Sequence, residues 1–485
     1  YTGIQPTQSL QIKTITAEET SSSAQTHPAF KEINKSRNIA ATIFLIAGII
    51  YAILQAAMYL YYADFDLSGF RFFYTTCLFA LPTFYRYCMT KFGRVGISIV
   101  LPVLFIATIY LILPKENPEP LPVLSIILFQ SVYWFLGPVI LYLFVSRTRV
   151  VIVGTMIYNV LLGVFLMLEI ALVATYIIAV NTGMRENLYL LMTTMTITGI
   201  LLMIFIFRKI LMAILSLYNT KKISDDILDT VTLLTTFCFW HIIILIGFGG
   251  LWGLLGIIPL LIWYFILQFL FSSFIKQTVD NHGLLLLRVF GNRKRSENFL
   301  RNISFDWRYH GSVNVLGAPD LATENMDPND FYYFLLHQTD ANFIKSEDDL
   351  QKQITKIDVL PDPDGRFRNN ELYCYNTIWK EVLAIQQKLN TVFIMDLREF
   401  NQNRQGCIFE IEQLISSVPL RQLLFITDHT TDKIFMEKVL FDKWSKIPPD
   451  SPNVNTVNPI LSVFYMQKNN RKTYKTISMH LLASH

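Results

Sequence analysis

Charge is scarce in this 485-residue chain: Asp, Glu, Lys and Arg make up only 16% of it, against the roughly 25% usual in soluble domains. That shortage excludes an ordinary soluble enzyme. Cysteine is scarce as well. The five present (Cys77, Cys88, Cys238, Cys374 and Cys407) form no C-x-x-C pair and have no histidine at ligand spacing. A zinc site and a disulfide framework are therefore excluded, and a reducing compartment fits. A glycine-rich phosphate loop is missing too, because Gly291-Asn292-Arg293-Lys294-Arg295 matches neither the P-loop nor the dinucleotide fingerprint. This run reads instead as a solvated face near an anionic leaflet. A basic surplus is absent where nucleic acid would need it: the chain has 16 basic and 12 acidic residues through 275, then 25 of each. Nucleic acid is thus excluded as a partner. Residues 1–30, rich in Ser, Thr and Gln, have no apolar h-region and read as a disordered tail without a cleavable signal peptide.

What the chain has in abundance is apolar surface, with 52% hydrophobic and 14% aromatic residues. Apolar runs near the length of a membrane-spanning helix recur at about 39–62, 70–85, 95–113, 121–145, 150–180, 187–207, 228–247 and 252–275. Residues 31–276 are therefore expected to form a polytopic helical domain of about eight spans in the lipid bilayer. Twelve basic residues fall in alternate loops: Lys31, Lys35, Arg37, Arg86, Lys91, Arg94, Arg147, Arg149, Arg208, Lys209, Lys221 and Lys222. By the positive-inside rule this places both termini in the cytoplasm, with the chain in the plasma (inner) membrane. Glu169 and His241 lie inside spans, where ionisable groups face a bundle interior. They read either as the working pair of a transporter or channel, or as packing groups. The chain has no internal repeat and no matched pair of broken spans, which weighs against a transporter.

From residue 277 onward short apolar runs alternate with helical patterns, the pattern of a parallel sheet wrapped by helices. Five strands are expected at Leu284–Phe290, Val313–Leu316, Thr391–Asp396, Leu423–Thr427 and Ile460–Tyr465. Helices are expected near 295–308, 328–344, 346–355, 374–389, 405–416 and 431–446. The stretch from Pro361 to Glu371 reads as a turn-rich loop too partial for a calcium site, and residues 346–373 as an insertion. In such a sheet the ligand lies at the carboxyl ends of the strands, near the point where strand order reverses. The candidates there are Arg288, Phe290 and Gly291 after the first strand, Gly317 and Asp320 after the second, Asp396 and Arg398 after the third, and Asp428 after the fourth.

The segment Val392 to Asp428 carries a strand, a loop, Gly406-Cys407-Ile408-Phe409-Glu410, a helix and the next strand. It resembles TIR domains and the related nucleoside deoxyribosyltransferases, and the resemblance implies a flavodoxin/TIR-like cytoplasmic domain over 277–485. It also implies that Glu410 acts on the bond between ribose and base, with NAD or a nucleoside as substrate and no required cofactor or metal. A carboxylate suits that chemistry because it can stabilise or capture an oxocarbenium-like state. Asp396 would orient a sugar hydroxyl or, on its other reading, cap a helix or turn, and Arg288, Phe290, Gly291, Gly317, Asp320 and Arg398 would hold the ligand. The other reading of Glu410 is a first-turn carboxylate on the helix dipole. The resemblance further implies assembly into a homo-oligomer. The function expected is a membrane-attached effector or sensor that binds a nucleotide and cleaves an N-glycosidic bond. The alternatives are a non-enzymatic scaffold and a transporter or channel with a regulatory domain.

Overall fold

The structure, a computed structural model, describes residues 9–17, 28–62, 69–92, 188–275, 281–288, 293–317 and 343–483. The chain divides into two units, one built on residues 1–36 and most of 277–485, the other on 37–276.

Among the described residues the first unit is built on a parallel sheet of eight strands: β1 (Gln11–Ile15), β2 (Leu284–Arg288), β3 (Val313–Gly317), β4 (Phe343–Ile344), β5 (Asn369–Cys374), β6 (Val392–Asp396), β7 (Leu423–Thr427) and β8 (Ile460–Tyr465). Their order is β1-β8-β7-β6-β2-β3-β5-β4, with every neighbouring pair parallel. The five-stranded expectation is thereby corrected to eight strands. β1 lies inside the segment read as a tail, where Gln11 to Ile15 pair with Ile460 to Phe464. β5 lies inside the supposed insertion, where polar Asn369 and Asn370 open a strand that hydrogen-bonds to β3. Asn370 is fixed there by Nδ2 donating to Asn314 Oδ1 at 2.9 Å.

Continuous apolar strands need helices on both faces. One face buries Leu285, Leu287, Phe393, Met395 and Phe425 under α8 (Trp379–Leu389), α9 (Gln405–Ser417) and α10 (Lys433–Trp444). The other buries Leu284, Leu286, Val392, Ile394 and Ile426 under α6 (Arg293–Trp307) and α11 (Arg471–Ala483). α7 (Glu347–Ile354) precedes β5 and is capped by Ser346, whose side chain accepts from the Asp349 amide. The expected helix at 328–344 lies almost wholly outside the described residues, except that Phe343 and Ile344 form β4.

The second unit holds most of α1 (Pro28–Tyr62), with α2 (Gly69–Phe92), α3 (Leu188–Asn219), α4 (Asp225–Gly249), a 3-10 stretch (Gly250–Ile257) and α5 (Ile258–Phe274). Among the described residues two helical stretches, Lys31–Tyr62 and Trp252–Phe274, are long and apolar enough to cross a membrane. This finding replaces the eight-span expectation. The runs at 95–113, 121–145 and 150–180 lie outside the described residues. Elsewhere the apolar runs belong to helices that also carry charge. Arg86, assigned to a loop by the charge pattern, is buried within α2, where it pairs with Asp226 and, at 2.7 Å, with Asp229 of α4. Apolar length cannot distinguish a span from a helix that hides its surface against its neighbours, and the window in Lys31–Tyr62 is 56% buried.

α1 and α2 approach closely in this unit. A Cβ at Gly48 would fall inside the Thr83 side chain, so only glycine permits that approach. Gly48→Leu is expected to force the helices apart and cost about 1 to 3 kcal/mol, the usual penalty of overpacking. It would be read as a lower thermal midpoint in detergent, and an unchanged midpoint would refute the close crossing.

Candidate ligand site at the sheet switch point

From β2 the chain runs outward to β3, β4 and β5, then returns to β6 on the other side of β2 and continues to β7 and β8. Strand order therefore reverses between β2 and β6, where parallel sheets place their ligands. At the carboxyl ends of these two strands Arg288 and Asp396 stand in register. Side chains alternate along a strand, so both share the face of Leu286 and Ile394, under α6 and α11.

Around this point lies a set of buried and half-buried charges. Arg398 follows β6 and grips Asp396 with two hydrogen bonds, Nε to Oδ1 at 2.7 Å and a terminal nitrogen to Oδ2 at 2.5 Å. Both residues are buried. The guanidinium also lies over the Phe299 ring of α6, 4.8 Å from its centroid. Burial opposes the Arg398 charge, but hydrogen bonding and attraction from Asp396, together with Tyr474 of α11, outweigh it and hold its pKa above the ordinary value. Arg295, in the first turn of α6, pairs with Asp428 and, at 3.3 Å, with Glu399. Asp428 Oδ1 also accepts from the Thr430 amide at 2.9 Å. Glu399 has a left-handed φ of 66°, a conformation uncommon outside glycine, and its amide donates to Thr430 Oγ1 at 3.0 Å. Arg295 is thus bound into the site, and its part in the supposed solvated face is corrected.

Glu410 is on the opposite face. It belongs to the second turn of α9, beside Cys407, Ile411 and Leu414. These neighbours pack into the core under α8, α9 and α10. No acidic residue occupies the first turn of α9, so the first-turn dipole reading does not apply. Glu410 is 6% exposed and its Oε2 has no hydrogen-bond partner. Burial pushes its carboxyl up to about 8. Burial, followed by repulsion from Glu410, raises the nearby thiols of Cys374 to about 11 and Cys407 to about 12, so neither is a thiolate at neutral pH. Asp396 and Glu410 therefore do not share a face, and among the described residues no hydrogen bond or ion pair joins them.

Gly317 ends β3, where an added Cβ would lie 3.0 Å from the Tyr373 ring, which accounts for the glycine by packing. Phe290, Gly291, Asp320 and Glu169 lie outside the described residues. His241 is fully buried, hydrogen-bonded to Gln55 and flanked by the rings of Phe79 and Tyr59. In the turn-rich loop, Asp362 is bound to Arg368 at 2.7 and 3.0 Å. Among the described residues no three His, Cys, Asp or Glu side chains are grouped to hold a metal ion. Tyr474 and Phe299 were not anticipated as site residues: one belongs to a helix with a weak sequence signal, and both look like ordinary core aromatics.

No family model, curated protein or solved structure matches the chain.

Proposed function

We propose that the chain is a membrane-attached sensor whose α/β unit binds a nucleotide at the switch point between β2 and β6. The observation that carries this reading is the convergence there of Arg288, Arg295, Arg398, Asp396 and Asp428 under Tyr474 and Phe299. Cationic and hydroxyl donors beside aromatic rings suit a ligand that combines a flat base with a charged tail. Membrane attachment is supported by α5, whose Ile258, Leu261, Ile262, Phe265 and Phe269 are exposed at helical spacing and form an apolar face suited to lipid. The test of binding is titration of the full chain in lipid with NAD, ADP and adenosine. Saturable binding of at least one is expected, and no binding by the folded protein would refute the reading.

Glu410, on the α9 face and apart from the β2–β6 switch point, favours a second reading that needs a ligand on its own face: cleavage of the N-glycosidic bond. A carboxyl that keeps its proton to about pH 8 suits a nucleoside such as adenosine: the bond from ribose carbon to base nitrogen breaks as the base takes the Glu410 proton, and the carboxylate left behind takes a proton from the water that adds to the ribose carbon. Release of adenine from adenosine by wild type, abolished in Glu410→Gln while binding persists, is the expected result. Equal turnover by both proteins would remove Glu410 from the chemistry.

A further inference from the structure

α9, the helix that carries Glu410, begins without a cap. The first amides of a helix have no partner within it, and Ser, Thr, Asp or Asn usually supplies an acceptor at the N-cap. α9 has Arg404 there, whose side chain holds no acceptor, and its first turn contains no acid. Among the described residues nothing accepts a hydrogen bond from the amides of Gln405 and Gly406. The space beside them is open, since a Cβ added at Gly406 would meet nothing within 4 Å.

The side chains around this start are unclaimed as well. Arg404 Nε is buried without a hydrogen-bond partner, and among the described residues no carboxylate pairs with the guanidinium. In the second turn Glu410 is 6% exposed with Oε2 unpartnered. Both side chains lie close to Cys407, which stands between them in the chain: burial dominates its thiol, but Glu410 also raises the pKa and Arg404 lowers it. Asp396, the remaining charge that the thiol feels, is committed to Arg398 through both oxygens. α9 follows β6, so its start lies at the carboxyl end of the sheet, where parallel sheets take their ligands. Helix dipole, cation and two unclaimed amides together suit an anion.

We propose that the start of α9 and the Arg404 guanidinium form an anion seat that takes the phosphate of a nucleoside monophosphate and presents its ribose to Glu410. The seat rests on the reading of Glu410 given above and narrows its substrate class from nucleosides to their 5′-monophosphates. The planar guanidinium offers paired donors to the phosphate oxygens, and the Gln405 and Gly406 amides offer two more. The chemistry balances as before. The bond from ribose C1′ to the base nitrogen breaks, the base leaves with the Glu410 proton, and water adds to C1′ and returns a proton to the carboxylate, giving ribose 5-phosphate.

The test is calorimetric titration of the full chain in detergent with AMP, adenosine, ribose 5-phosphate and inorganic phosphate. AMP is expected to bind about ten- to a hundredfold more tightly than adenosine, and ribose 5-phosphate to compete with it. Arg404→Gln should bring AMP down to the affinity of adenosine, and Arg404→Lys should fall between, since it keeps the charge and loses the paired donors. Gly406→Asp sets a carboxylate over the same amides in open space, so it should melt higher than wild type and lose the preference for AMP. Gly406→Ala, which adds no charge, should keep that preference. A preference for AMP that survives both Arg404→Gln and Gly406→Asp would place the phosphate elsewhere and overturn the seat. Equal affinity of wild type for AMP and adenosine would overturn the seat and leave the nucleoside reading of Glu410 intact. AMP held through Arg404 with no adenine released would keep the seat and overturn the cleavage reading. No binding of any probe by folded wild type would overturn both.

Discussion

Glu410→Gln is expected to melt higher than wild type at pH 8 and at nearly the same temperature at pH 4. The wild-type carboxyl is buried with Oε2 unpartnered, and burial raises its pKa from an ordinary 4.5 to about 8. Between those values the folded chain holds a proton that the unfolded chain has released. Stability therefore falls as pH rises, by about 1.4 kcal/mol per pH unit. Below the ordinary value both states are protonated and the loss is zero; above about 8 it is complete and on the order of 5 kcal/mol. Glutamine is neutral throughout and fills nearly the same volume, so its profile should lack this slope. The measurement is the thermal midpoint of both proteins across pH 4 to 9. Parallel curves would mean that Glu410 is hydrated or paired in solution, and the buried-acid account would fail.

This expectation bears on function because stability and activity should move in opposite directions. A carboxyl kept for packing would be replaced by glutamine with a gain in stability and no other change. One kept for chemistry would show the same gain alongside loss of turnover, the trade-off typical of residues retained against their own stability. The pair of readouts separates the two roles even though both begin from the same buried oxygen.

Much of the sheet was legible in the sequence, for a physical reason. β2, β3, β6 and β7 are buried throughout, and β8 is buried at half of its residues, so their apolar runs announce themselves. β1 exposes three of its five residues, and β5 opens with two asparagines bonded within the sheet rather than packed in oil, so neither shows an apolar run. α11 was missed because Thr473, Tyr474, Thr476 and Ile477 are weak helix formers, although its buried residues roof the site. The switch point itself was legible in part: Arg288, Asp396 and Arg398 follow from strand ends. Their pairing did not, since nothing in the spacing of Asp396 and Arg398 says that the turn folds one side chain back on the other. Nor could spacing say that Glu410 and Asp396 face opposite cores, because that depends on the face of the sheet that α9 covers. The helical unit misled for the opposite reason. There nearly every residue is apolar, and periodicity carries little about which surfaces meet lipid and which meet other helices.

Truncating one partner of the Asp396–Arg398 pair should be far more damaging than removing both. Asp396→Ala leaves the Arg398 guanidinium buried at 5% exposure without its two short hydrogen bonds, and a stranded charge of this kind costs about 3 to 5 kcal/mol. Phe299 and Tyr474 would still touch the cation, but a ring face and a hydroxyl do not replace a bidentate carboxylate. The double variant Asp396→Leu/Arg398→Met removes the charges together and is expected to lie within about 1 to 2 kcal/mol of wild type, because apolar residues of similar volume often substitute for a buried pair at little cost. A double-mutant cycle measured by chemical unfolding would give the coupling directly. Near-additive losses would show that the pair is solvated and contributes little. Strong coupling, together with ADP binding that survives in the double variant, would make the pair scaffolding and leave Arg288 as the residue that meets the ligand. Strong coupling with binding abolished would bring Arg398 or Asp396 into contact with the ligand as well.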